Sequence, residues 1–148
     1  MTRIAAIVLN YRTAPLTIQC LRSLAPELDP AQDELLVVDN HSEDDSAELL
    51  RRALAEPALA RVRLLETPQN GGFAYGHNFA VRSSDAQAYL LVNSDAVVRK
   101  GAVLRLWRRL AADPRCAAVS PRLEGPDGKP QTNCFRFHTP WSELLAAA

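Results

Sequence analysis

Apolar runs of four to six residues alternate along this chain with stretches whose apolar residues return every third or fourth position. The runs Ile4–Leu9, Leu35–Val38 and Tyr89–Val92 read as strands, Val62–Glu66, interrupted by Arg63, reads as a shorter one, and Cys116–Ser120 reads as a fifth. Tyr89 to Val92 has no polar interruption, so a strand buried on both faces is expected there. Between the runs, Leu16, Cys20, Leu21 and Leu24 share one helical face, and Pro15 suits the first turn of that helix. Leu49, Leu50, Ala53 and Leu54 mark a second helix. Ser42 is its expected N-cap, with Glu43, Asp44 and Asp45 in the first turn, where the helix dipole favours acids. Phe73 to Val81 predicts a third helix. Val103, Leu106, Trp107 and Leu110 predict a fourth, with Arg105, Arg108 and Arg109 on its solvated face. Pro126-Asp127-Gly128 is the expected tip of a hairpin between Arg122-Leu123 and Pro130-Gln131-Thr132. Trp141 to Ala148 reads as the start of a further helix.

Strands that alternate with helices imply a three-layer α/β fold around a mostly parallel, Rossmann-like sheet with right-handed crossovers. At 148 residues the chain is expected to form a single domain. With 47% apolar and 23% charged residues it can bury a core. Lys plus Arg and Asp plus Glu both number 17, which gives no support to a general nucleic-acid binder. No apolar run is long enough to span a membrane, and Ile4 to Leu9 is too short for a signal peptide, so a cytoplasmic protein is expected. Cys20, Cys116 and Cys134 are widely spaced and fit reduced cysteines rather than a disulfide frame or zinc site. His41, His77 and His138 show no H-E-x-x-H pattern.

The chemistry gathers where strands end. The first exits through Asn10-Tyr11, the second through Asp39-Asn40, and the fourth through Asn93-Ser94-Asp95. Ligands of open α/β sheets bind at the carboxyl ends of the strands. A carboxylate at such an end can hold a hard divalent cation, and the cation a diphosphate. Asn, Ser and Asp are also turn formers, so a strand end followed by a turn is the plainer reading, and a scaffold without ligand is a further one. The chain has no G-x-G-x-x-G after its first strand, no G-x-x-x-x-G-K-[ST] and no G-x-S-x-G. A dinucleotide site, a P-loop and a hydrolase elbow are therefore not expected.

Four segments in order resemble the nucleotide-binding half of the GT-A glycosyltransferases of family 2, and within it the rhamnosyltransferase-like members. They are Ile7–Tyr11, Val37–Ser42, Asn70–Asn78 and Leu90–Asp95; the stretch from Ser120-Pro121-Arg122-Leu123 to Asp127-Gly128 resembles the family's hairpin. The resemblance implies a GT-A topology and an inverting transfer of a sugar from a nucleoside diphosphate to an acceptor, of a rhamnosyl type in cell-surface polysaccharide synthesis. It implies that Leu9, Asn10 and Tyr11 hold base and ribose through the backbone, with the Tyr11 ring free to pack. It implies that Asp39 accepts hydrogen bonds from the nucleoside. Asn70, Gly71 and Gly72 would bring backbone close to the nucleotide, with the helix N-terminus at Phe73 beside it and Asn78 in the same motif. Asn93-Ser94-Asp95 stands at the D-x-D position, with Asn in the first place, so Asp95 would be the one carboxylate for Mg²⁺ or Mn²⁺.

The same resemblance implies a dTDP- or UDP-sugar donor and a glycan or lipid-linked acceptor. It leaves a homo-oligomer open, as it does the inner face of the membrane for the full-length protein. The family's carboxylate base stands in an acidic motif beyond the hairpin. Glu143 is the only late acid and its surroundings do not match, so no catalytic residue is assigned. The chain is thus expected to be a donor-binding domain truncated before the acceptor-binding half. The alternative is a nucleotide-sugar-binding module that does not turn over.

Overall fold

The computed structural model describes residues 2–125 and 127–131. The chain divides into two compact units, Met1–Arg105 and Leu106–Ala148. In the first, β1 (Thr2–Asn10), β2 (Asp33–Asp39), β3 (Arg63–Glu66) and β4 (Ala86–Asn93) form one sheet in the order β3-β2-β1-β4, with every pair parallel. The helices α1 (Ala14–Leu24), α2 (Ser46–Leu54) and α3 (Phe73–Arg82) are the crossovers. This is the α/β architecture that the alternating pattern predicts.

The register sets the rest. Asn10 lies opposite Asp39, and Leu9 lies opposite both Val38 and Asn93. The three polar exits therefore open at one end of the sheet. Side chains alternate between the two faces of a strand. Ile7, Leu36 and Val38 bury with Ala80 of α3 on one face, with Leu9, Leu65 and Val81 packed around them. Asn10, on the other face, meets Thr17 of α1.

Two expectations are corrected in this unit. β4 is not buried on both faces: Tyr89 is 37% and Leu91 51% exposed. Leu91 lies opposite Ile7 and so points to the α3 face. α3 packs over β1 and β2, which leaves that side of β4 open, and β1 is the one neighbour of β4 among the described residues. Ser42 does not cap α2. The helix starts at Ser46, after Asp45, and Glu48 is the acid of its first turn. Ser42 is held back at the strand exits, where it makes other bonds.

The helix α4 (Ala102–Ala111) crosses the division between the units, with Val103 buried, Leu106, Trp107 and Leu110 half-buried, and Arg105, Arg108 and Arg109 exposed. In the second unit the expected fifth strand is absent: Cys116–Ser120 is irregular, with Ala117, Ala118 and Ser120 exposed. Alanine is a weak strand former, and the run has no strand to pair with among the described residues. The expected hairpin is present as β5 (Leu123–Glu124) and β6 (Pro130–Gln131), antiparallel, with Gly128 at positive φ in the tip. Pro126, Thr132, Cys134, His138 and the expected helix from Trp141 lie outside the described residues.

Candidate functional site

The site forms where β1 and β2 end side by side. Asn10 and Asp39 are both buried, at 0% and 3% exposure. The Asn10 amide donates to Asp39 Oδ1 at 2.7 Å and to Ser42 Oγ at 3.2 Å. The Ser42 backbone N–H donates to Asp39 Oδ2 at 3.0 Å. Each carboxylate oxygen thus has one fixed donor and keeps lone pairs for another. On its far side Asn10 Oδ1 accepts from Thr17 Oγ1 at 2.8 Å and from Thr13 Oγ1 at 3.3 Å. Thr13 Oγ1 also reaches Ser94 Oγ at 3.2 Å, so the exit of β4 joins the same network.

The turns beyond these strand ends are strained. Arg12 and His41 have φ of 55° and 57°, and neither is glycine. Each stands two residues past a network residue, Asn10 or Asp39. The geometry is held by cross-links: Arg12 N–H donates to Ser42 Oγ at 3.0 Å, and the Arg12 guanidinium to Glu43 Oε2 at 2.8 Å. Such conformations cost about 1–3 kcal/mol and persist where the surroundings impose them. Tyr11 is half open at 39% exposure, but the Arg12 guanidinium lies 5.1 Å from its ring centroid. One face of that ring is therefore occupied.

A second clamp holds the loop before α3. Asn40, 2% exposed, donates from its amide to Asn70 Oδ1 at 2.8 Å and to the Gly72 carbonyl at 3.3 Å. Asn70 Oδ1 also accepts from the Gly72 N–H at 2.9 Å. Gly72 has φ 84° and ψ −178°, a region only glycine enters readily. A Cβ on Gly71 would lie 2.3 Å from Tyr75 Cγ. At Gly76 a Cβ would lie 2.3 Å from Leu9 Cδ1, so this glycine lets α3 settle against the end of β1. The first helical bond of α3 runs from Gly76 N–H to the Gly72 carbonyl. The N–H groups of Phe73, Ala74 and Tyr75 precede it and carry the positive end of the helix dipole.

At the exit of β4, Cys20 Sγ donates to the Asn93 carbonyl at 3.5 Å. Burial pushes the Cys20 thiol up to about 11, and the charge of Asp95 adds to it. Asn93 and Asp95 are exposed and Ser94 is half-buried. Among the described residues Asp95 makes no side-chain hydrogen bond or ion pair, and no three His, Cys, Asp or Glu side chains gather to hold a metal. This donor set does not fit a cation enclosed by protein. It does fit a hard cation held by one carboxylate and completed by phosphate oxygens and water.

Of the residues singled out from sequence, the structure links Asn10, Asp39 and Ser94 in one network, and binds Asn70 and Gly72 to its border through Asn40. Leu9 is half-buried beside Gly76. Asn78 is exposed on α3 and shares no hydrogen bond with the network among the described residues. Thr13, Thr17 and Asn40 take part without having been singled out as site residues. A polar residue at a helix position otherwise given to the core, as Thr17 is, was the available signal. Asn40 stood beside Asp39 in the same polar exit.

The description "Glycosyl transferase family 2" belongs to the family model that matches residues 5–144. Among solved structures, the chain is similar to the mannosyltransferase PcManGT from Pyrobaculum calidifontis in complex with GDP-Man and Mn²⁺, at 28% identity and a TM-score of 0.67, over 76% of this chain and 33% of that one. It is also similar to S. aureus TarS 1-349 in complex with UDP-GlcNAc, at 22% identity and a TM-score of 0.64, over 75% of this chain and 32% of that one; at this identity the likeness is one of fold. The chain spans about a third of the length of these solved chains. No curated protein matches it. No helix among the described residues is long and apolar enough to cross a membrane.

Proposed function

The chain belongs to glycosyl transferase family 2, and on that footing we propose that it binds the nucleoside-diphosphate sugar from which a glycosyl group is transferred. The observation that carries this reading is the buried Asp39 carboxylate, fixed by Asn10 and Ser42 at the shared end of β1 and β2. A carboxylate oriented by two donors and keeping lone pairs unused suits the N–H or O–H donors of a nucleoside. Backbone of Leu9 to Tyr11 flanks it, and Tyr11 presents one open ring face. The loop Asn70-Gly71-Gly72 and the N–H groups that open α3 suit the anionic part of the donor.

Asn93, Ser94 and Asp95 would face the diphosphate, and Asp95 would hold Mg²⁺ or Mn²⁺. When bound, the cation supplies positive charge to the nucleoside diphosphate as it leaves. The solved PcManGT holds Mn²⁺ with GDP-Man. In the transfer, an acceptor hydroxyl loses its proton to a base and bonds to the anomeric carbon. The bond from that carbon to the diphosphate oxygen breaks, and configuration inverts. No residue of this chain is assigned as that base. The residues here bind and orient the donor.

A dTDP- or UDP-linked donor and a rhamnosyl-type transfer to a glycan or lipid-linked acceptor are the finer form of the proposal. They rest on the motif likeness, with Asn93 in the first place of the D-x-D pattern. The similar solved structures hold GDP-Man in one case and UDP-GlcNAc in the other. Calorimetric titration with UDP, dTDP, GDP and ATP, each with Mn²⁺, tests both levels. Binding of UDP or dTDP ahead of GDP and ATP is expected. Preference for GDP would overturn the pyrimidine assignment. Equal or absent binding of all four would overturn donor binding itself. Product formation from a bound donor would separate a transferase from a binding module.

A further inference from the structure

We propose that Thr17, on α1, is a positioning residue for nucleoside recognition, acting on Asp39 through the Asn10 amide; this rests on the donor-binding reading above. Thr17 is fully buried in a helix whose other buried positions are Ala14, Cys20, Leu21 and Leu24. A β-branched polar residue is a weak choice for such a position. Its hydroxyl has one proton and two acceptors within reach: Asn10 Oδ1 at 2.8 Å and the Thr13 carbonyl at 3.1 Å. That carbonyl already accepts the Thr17 backbone N–H at 3.0 Å. The shorter contact takes the proton, so Thr17 donates to Asn10.

The consequence lies in the orientation of the amide. A carboxamide presents an oxygen on one side and two N–H groups on the other. With the oxygen toward Thr17, Asn10 Nδ2 faces Asp39 Oδ1 at 2.7 Å. Turned over, it would set oxygen against oxygen in a buried site, which is costly. Thr13 also supports the first orientation, at 3.3 Å, but its proton is shared with Ser94. Thr17 is the close donor. The Asn10 contact is one of the two that fix the plane of the Asp39 carboxylate, and so the direction of the lone pairs left for a ligand.

Thr17→Val keeps the shape and removes the hydroxyl; Thr17→Ser keeps the hydroxyl. Calorimetry with Mn²⁺ and whichever of UDP, dTDP or GDP wild type binds most tightly is expected to show a loss of roughly three- to tenfold for Thr17→Val, the effect of one neutral hydrogen bond. Thr17→Ser should retain most of the affinity. In an Asp39→Asn background Thr17→Val should cost less than twofold more, while its effect on melting temperature persists. A merely structural Thr17 would lower the melting temperature of Thr17→Val and leave its dissociation constant unchanged. That result overturns the proposal, as does an equal loss of affinity in Thr17→Ser or an undiminished loss beside Asp39→Asn. If Asp39→Asn binds too weakly to measure, the Ser and Val comparison decides. If Thr17→Val does not fold, Thr17→Ala takes its place. Wild type that binds none of the nucleotides overturns donor binding, and this inference with it; wild type that binds while Thr17→Val is unaffected overturns this inference only.

Discussion

Asn10 and Asp39 close the ends of neighbouring parallel strands, sit opposite each other in register, and join through a 2.7 Å hydrogen bond that is buried. The pair converts two strand ends into one rigid polar edge. Asn10 is fully engaged on both sides of its amide. It therefore works as a strut, and Asp39 is the group with capacity left for a ligand.

Replacing Asp39 by Asn sets an amide where the carboxylate accepted two N–H groups. A hydrogen bond to a charged group is worth about 1.5–3 kcal/mol, so nucleotide affinity should fall roughly tenfold to more than a hundredfold. The loss is expected with Mn²⁺ and with EDTA alike, since Asp39 is assigned to the nucleoside. An unchanged dissociation constant in calorimetry would place Asp39 outside the site.

Asp95→Asn should behave differently. Asp95 is exposed and makes no side-chain bond among the described residues, so the melting temperature without ligand should barely move. Added Mn²⁺ should no longer strengthen nucleoside diphosphate binding, while weak binding of the bare nucleoside survives. Titrations with Mn²⁺ and EDTA on both proteins check this. Full metal enhancement in the mutant would mean that another group holds the cation.

Gly72→Ala tests the loop. Nothing lies within 4 Å of a Cβ there, so crowding is not the obstacle. The backbone at φ 84°, ψ −178° is, and strain of about 1–3 kcal/mol is expected in urea unfolding. Because Asn40 and Asn70 hold Gly72 in place, nucleotide affinity should fall as well. A mutant of wild-type stability would show that the loop adopts another backbone at no cost.

His77 gives the chain a pH dependence. It is buried against Phe73, and neither ring nitrogen has a partner among the described residues. Burial holds its pKa below the ordinary 6.5. Above about pH 7.5 the imidazole is essentially neutral folded or unfolded and adds almost no slope. As pH falls below that value the unfolded chain takes up a proton that folded His77 refuses, and stability is lost until the folded pKa is passed. Melting temperatures from about pH 7.5 to about pH 5.5 should fall less steeply for His77→Leu than for wild type. Equal slopes would assign the fall to other groups.

Local pattern was enough for the elements of the sheet. Ile4–Leu9 and Leu35–Val38 are short apolar runs with β-branched residues and polar exits, which fits buried strands, and the face of Leu16, Cys20, Leu21 and Leu24 has one compatible period. Asn10 and Asp39 stood out because they end apolar runs, and Asp95 because it closes the polar step after one, although turn formation gives each a plain structural reason to be there. Chain neighbours could not reveal what depends on residues distant in sequence. Leu91 is apolar, yet its exposure follows from which strands α3 covers. Ser42 has the chemistry of an N-cap, but bonds to Asp39, Asn10 and Arg12 hold it at the strand exits, and the helix starts later. Cys116–Ser120 is apolar enough for a strand, but a strand needs a partner to complete its hydrogen bonds. Thr17 lies on α1 where β1 sets Asn10 against it, a contact that helical period does not reveal. Propensity and period act within a few residues and can be read along the chain; register, cover and the hydrogen bonds between elements, as when Asn10 joins Ser42 across 32 positions, exist only once the sheet has formed.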